Sequence, residues 1–255
     1  METRQHSQAF FNWYVKKITC RYAGIIEIIS YSLKSSKPHT QSEIQVQINR
    51  LTEQIQFIIE IDRLKQVMRQ TLLMDGSRRE NSAEHSWHLA VMAIALVDYA
   101  PDGVDIFHAI KMLLIHDLVE IDAGDTFCYD VQGNDSKAVR EAQAALRLFG
   151  LLPADQDSEL RLLWDEFEAG ETPTAKFAAA LDRIQPLLHN QQTQGGTWRI
   201  HGISRNQVMK RVVPVETGAP ELWPFVLQLI DDCVTAGYLK DDAALITQDF
   251  RAENC

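Results

Sequence analysis

His116, Asp117 and Glu120 stand in the most apolar part of the chain, "VDIFHAIKMLLIHDLVEIDA". Buried charges are costly unless they are paired or bound to a metal. Residues three and four apart are neighbours on an α-helix, so His116 and Glu120, like Asp117 and Glu120, share one side. Two further polar residues interrupt apolar runs. His85 falls in the first turn of "AEHSWHLAVMAIAL", and Asp182 lies inside "KFAAALDRIQPLL". Taken singly, each has a plain structural reading, such as a buried His–Asp hydrogen bond beside an exposed Glu. Taken together, two imidazoles and two carboxylates on apolar helices can bind one divalent ion that compensates their charge. No thiolate belongs to the set, so it suits Mn, Co, Fe, Ni, Zn or Mg rather than a cysteine-type structural zinc.

The elements that must carry these residues read as helices. In "VQINRLTEQIQFIIEIDRLKQVMRQ", Ile48, Leu51, Ile55, Ile58 and Ile59 recur at three- and four-residue spacing, one helical face. Asp75-Gly76 marks a turn. Asn81 and Glu84 have the spacing of a capping box ahead of the His85 helix. Pro101 and Gly103 end that helix, and the run with His116 follows. Gly150 and Gly170 close two amphipathic helices. Pro173 fits the first turn of the helix carrying Asp182, and Pro186 is expected to kink or end it. No strand pair, internal repeat or low-complexity tract stands out. The expected class is all-α, a helical bundle, with residues 44–255 as its domain. Residues 1–43, aromatic and basic before the polar "SSKPHTQSE", read as an extension, disordered or loosely packed.

Composition narrows the function. The 255 residues carry a formal net charge of −10 and 45% are hydrophobic, which argues against a broad nucleic-acid or anionic-membrane surface. Cys20, Cys128, Cys233 and Cys255 are far apart and form no CxxC pair, which favours a reducing cytoplasm. No apolar run reaches spanning length, and "AFFNWYVKKITCRYAGIIEII" lacks the build of a signal peptide.

The order H…HD…D is the signature of the HD superfamily of metal-dependent phosphohydrolases. "LKQVMRQ…RRENSAEHSW", "HDLVEIDAGD" and "ALDRIQPLLHN" resemble, segment by segment, the bacterial 5'-deoxynucleotidases and related HD-domain nucleotidases. The resemblance spans roughly residues 45 to 215. It implies one divalent metal held by His85, His116, Asp117 and Asp182, with the last two and His85 also bordering the substrate. It implies Glu120 as the catalytic acidic residue, Asp125 near the sugar and phosphate, and Arg69 as the arginine that orients the phosphate. The deoxynucleotidases carry a tryptophan after that arginine; here the residue is Gln70, which puts a strict 2'-deoxy preference in question.

Plainer readings stand beside these. Arg69 could be a solvated helix charge, with Arg78 or Arg79 in its place; Asp125 could be a turn residue; Glu120 could support a histidine ligand. His88, three after His85, reads as a residue at the edge of the site or in a core hydrogen bond; His6, His39, His108, His189 and His201 show no partner pattern, and no further closely spaced histidines suggest a second metal. The expected function is release of phosphate from nucleoside 5'-monophosphates by a cytoplasmic homodimer, with no nucleic-acid or membrane partner. The alternatives are an HD hydrolase of another phosphate ester or phosphodiester, and a non-catalytic helical module.

Overall fold

The computed structural model describes residues 41–130 and 135–242. The chain separates into two compact units, Met1–Gln56 and Phe57–Cys255. Within the first, the described residues belong to helix α1, Gln41–Ile61. The expected 1–43 extension lies outside the described residues except for Gln41, Ser42 and Glu43, which open α1.

The second unit departs from expectation at its start. The helical pattern stops at Ile61, passes through a 3-10 turn, Asp62–Gln66, and becomes strand β1, Met68–Leu72. This strand pairs antiparallel with β2, Arg79–Asn81, with a bulge between the Met68–Asn81 and Leu72–Arg79 partners. Arg69 and Gln70 therefore sit on a strand, not on a helix. Their side chains are good helix formers, so local propensity misleads here; pairing with a segment ten residues away decides the conformation. Asp75 and Gly76 do turn the chain. Gly76 has φ +72°, and Asp75 accepts from the Ser77 N–H at 2.9 Å.

The rest is helical: α2 Ser82–Ala95, α3 Ile106–Ile115, α4 Glu120–Ala123, α5 Lys137–Phe149, α6 Ala154–Ala169, α7 Pro173–Gln192, α8 Gly196–His201, α9 Arg205–Val212, α10 Pro214–Gly218 and α11 Trp223–Thr235. Helix α7 is the centre, packed by α2, α3, α6 and α8 to α11. Its inner face, Phe177, Ala178, Leu181 and Ile184, meets Leu89 and Met112 in the larger apolar cluster. A smaller cluster gathers Phe57, Leu118, Val119, Leu148, Phe149 and Trp164.

Pro186 does not end α7, one of the two outcomes expected of it; the helix runs on to Gln192. The helix is enclosed by neighbours, and their packing offsets a proline cost of about 3 kcal/mol. The ring removes the N–H that would pair with the carbonyl of Asp182, one turn earlier. The run from Ile106 to Ala123 is also not one helix: it breaks into a 3-10 turn at His116–Val119. There His116 Nδ1 lies 2.9 Å from the Leu113 carbonyl, the acceptor an uninterrupted α-helix would offer to the Asp117 N–H.

Candidate metal and phosphate site

Each site residue is placed by a local device. Asn81 caps α2: it accepts from the Glu84 N–H at 2.9 Å, while Glu84 accepts from the Asn81 N–H at 3.1 Å. That capping box fixes His85 in the first turn. The 3-10 turn presents His116 and Asp117 together, where the segment crosses from Leu113 in the larger apolar cluster to Leu118 in the smaller. Thr172 caps α7 through the Ala175 N–H, and that helix brings Asp182 to the same place.

His85, His116 and Asp182 converge, with ligand atoms within 4.8 Å of one another. His85 Nε2 is 2.9 Å from Asp182 Oδ1 and 3.9 Å from Asp117 Oδ2. His116 Nε2 is 3.1 Å from Asp117 Oδ1. All four residues are buried.

The donor set fits a cation. His116 Nδ1 faces a carbonyl, which can only accept, so Nδ1 donates and Nε2 carries the lone pair. Burial holds this imidazole below its ordinary pKa against the pull of Asp117. Its Nε2 has no hydrogen-bond partner and faces a carboxylate oxygen, two acceptors against each other. A positive ion between them removes that conflict. At His85, burial and Arg69 oppose protonation, but Asp182 and Glu80 prevail and push the imidazole up to about 9. The carboxylates thus hold a proton where a metal ion would compete for the same lone pair. Asp182 lies well below the usual carboxylate range: burial opposes this, and Arg183 and His85 outweigh it.

Arg69 reaches in from β1. Its Nη1 donates to Asp117 Oδ2 at 2.8 Å. The two other arginines considered for its role are elsewhere: Arg78 is exposed and forks onto Glu84, and Arg79 is exposed. Glu120 is buried, and its Oε2 accepts from the Ser82 hydroxyl at 2.6 Å. Burial and then Asp117 raise its carboxyl well above the usual range. Asp125 is raised as well, by burial first, with Arg69 opposing. Arg69, Gln70, Glu120 and Asp125 line one cavity of about 480 Å³ with His116, Asp117 and Asp182. That is ample for a small phosphate ester.

The same cavity is bordered by Lys176, Arg183, Arg211 and Trp198, none of which the sequence singled out. Arg183, beside Asp182, pairs with its carboxylate. The signal available was a second basic residue directly after a buried acid. Glu80, within "RRENSAEHSW", is buried, with Oε2 3.6 Å from His85 Nδ1. His88, expected at the edge of the site or in a core hydrogen bond, and His189, which showed no partner pattern, join Glu80 in a second convergent group.

The chain matches known proteins over this region. A family model described as HD domain covers residues 61–223. Curated relatives include the 5'-deoxynucleotidase HDDC2 of Homo sapiens, 31% identical over 135 residues, which are 52% of this chain and 65% of that protein. The Bos taurus protein of the same name is 30% identical, over 52% of this chain and 64% of its own length. The match thus spans just under two thirds of these curated relatives. A solved structure described as a predicted metal-dependent phosphohydrolase from Magnetospirillum magnetotacticum MS-1 is 54% identical. It superposes with a TM-score of 0.73 over 75% of this chain and 96% of that one.

Proposed function

The chain belongs to the HD domain family, and from that premise we propose that it is a metal-dependent phosphohydrolase releasing phosphate from nucleoside 5'-monophosphates. The observation that carries the reading is the His116 Nε2–Asp117 Oδ1 contact at 3.1 Å, in the cavity that Arg69 and Glu120 line. The names of the curated relatives, 5'-deoxynucleotidases, support the substrate class.

His85, His116, Asp117 and Asp182 are the residues that would hold one divalent ion. When bound, such an ion supplies a Lewis acid to the phosphoryl group and lowers the pKa of water. Glu120 takes the proton of the attacking water. Its buried carboxyl, raised beside Asp117, is a stronger proton acceptor than a solvated one. Arg69 exchanges its bond to Asp117 for the phosphate and neutralises it through paired N–H donors. Asp125, also raised by burial, can deliver a proton to the departing 5'-oxygen. Gln70 borders the sugar end.

We extend the reading to a cytoplasmic homodimer. Among the described residues no helix is long and apolar enough to cross a membrane. Phe225 is exposed on α11, and a longer exposed stripe, Trp87, Val91 and Ile94, runs along α2. Sedimentation at micromolar concentration should give twice the chain mass; a monomer would remove the dimer.

The deciding experiment is phosphate release from a panel of ribo- and deoxyribonucleoside monophosphates, a nucleoside triphosphate and a phosphodiester. It should be run after chelation and after re-addition of single divalent ions. Metal-restored release from the monophosphates is expected. Release from the phosphodiester alone, or none from any substrate, would overturn the reading.

A further inference from the structure

Glu80 on β2, His88 on α2 and His189 on α7 place ligand atoms within 4.8 Å of one another. None of the three belongs to the set that the catalytic reading uses. At their centre lies the amide of Gln185, also on α7. Its Nε2 is 2.7 Å from Glu80 Oε1, 2.9 Å from His189 Nε2 and 3.4 Å from His88 Nδ1.

His189 is oriented for ligation. Its Nδ1 lies 2.7 Å from the Leu72 carbonyl, which can only accept, so Nδ1 donates and the Nε2 lone pair faces the cluster. A backbone carbonyl that fixes the outer nitrogen is the common support of a metal-bound histidine. Gln185 is fully buried, yet its Oε1 has no partner. Its NH₂ faces two fixed acceptors, Glu80 Oε1 and His189 Nε2, while its own Oε1 stays unpaired. Turning the amide over would aim Oε1 at those two acceptors. That arrangement is favourable only with a cation among them.

We propose that Glu80, His88 and His189, with Gln185 Oε1 after rotation of its amide, form a second divalent-ion site separate from the catalytic one. Two imidazoles, one carboxylate and one amide oxygen suit a borderline ion of the zinc class better than magnesium or calcium. Entry is by way of His88, which is only half-buried while Glu80 and His189 are enclosed. The two sites meet at Glu80: Oε1 faces the second group, and Oε2 lies 3.6 Å from Nδ1 of His85. An ion held by Glu80 would therefore fix the carboxylate that lies beside His85. The site does not depend on the nucleotide reading.

The test uses the full chain, stripped by chelator, reloaded with zinc and desalted. Crystals of this protein should show an anomalous difference peak at the zinc edge among Glu80, His88 and His189. In solution, His88→Ala should carry one zinc fewer per chain than wild type, while His116→Ala loses an ion from the other site. Because His88 is half-buried, its truncation should leave the fold intact, which circular dichroism checks. His189→Ala should match His88→Ala in metal content. No peak at that position, or wild-type zinc content in folded His88→Ala, would overturn the site whatever the catalytic site does.

Discussion

Nε2 of His85 lies 2.9 Å from Oδ1 of Asp182, although 97 positions separate the two residues. One opens α2 and the other sits midway along α7. Their contact ties the capping box at Asn81 to the central helix, so the geometry of the site depends on the packing of both. Asp117, Asp182 and Glu80 each bring a carboxylate oxygen within 4 Å of His85.

On the proposed roles, Glu120→Ala removes a proton acceptor and no metal ligand. Metal content should stay at the wild-type level, while kcat for phosphate release falls about 10²–10⁴-fold, the usual contribution of a general base. Atomic absorption and a phosphate assay on one preparation check both halves. Wild-type turnover would leave Glu120 with only a supporting role.

Gln70→Trp should raise the preference for deoxyribonucleotides. Glutamine is smaller than tryptophan and can bond a ribose hydroxyl, and a pocket that merely crowds a hydroxyl discriminates by roughly a few kcal/mol at most. Comparing kcat/KM for AMP and dAMP in both proteins gives the answer. Wild type should use both substrates. Strong deoxy selectivity in wild type, unmoved by the substitution, would place Gln70 away from the sugar.

Gly218→Ala should destabilise the fold while leaving His85, His116, Asp117 and Asp182 in place. A Cβ at Gly218 would come 2.1 Å from the Lys176 carbonyl oxygen and 3.0 Å from Ala180 Cβ, so α10 would have to move off α7. Overpacking of this kind costs about 1–3 kcal/mol, a fall in Tm of about 2–4 °C per kcal/mol for a domain of this size. An unchanged Tm would mean that the two helices part freely.

Glu166 provides a pH-dependent contribution. Burial opposes its ionisation, but the Thr172 hydroxyl at 2.6 Å and His108 at 2.7 Å outweigh burial and hold its carboxyl below the ordinary 4.5. A lowered folded pKa means stability that is present above the unfolded value and lost as pH falls through the folded one. The group is partly exposed, so solvent screening limits the effect to about 1 kcal/mol or less. Urea unfolding should find Glu166→Gln less stable than wild type at neutral pH, and the gap should close on acidification below about pH 4. A gap that widens in acid would contradict the assignment.

The sequence by itself determined what local chemistry can determine. The Asn81–Glu84 capping box, the Gly170 helix end and Pro173 in the first turn of α7 each act within one helical turn, and each appears where the residue types place it. The H…HD…D order was legible because charged groups in apolar runs are rare without a partner. The tertiary structure alone decided what distant segments impose. Arg69 lies on a strand because residues 79–81 pair with it, against its own propensity. Helix α7 survives Pro186 because its neighbours enclose it. Glu80, His88, Gln185 and His189 carry no joint signal, since Gln185 and Glu80 meet across 105 positions. Spacing along the chain reports neighbours within a turn; only packing of α2, α7 and the hairpin brings these side chains to one point.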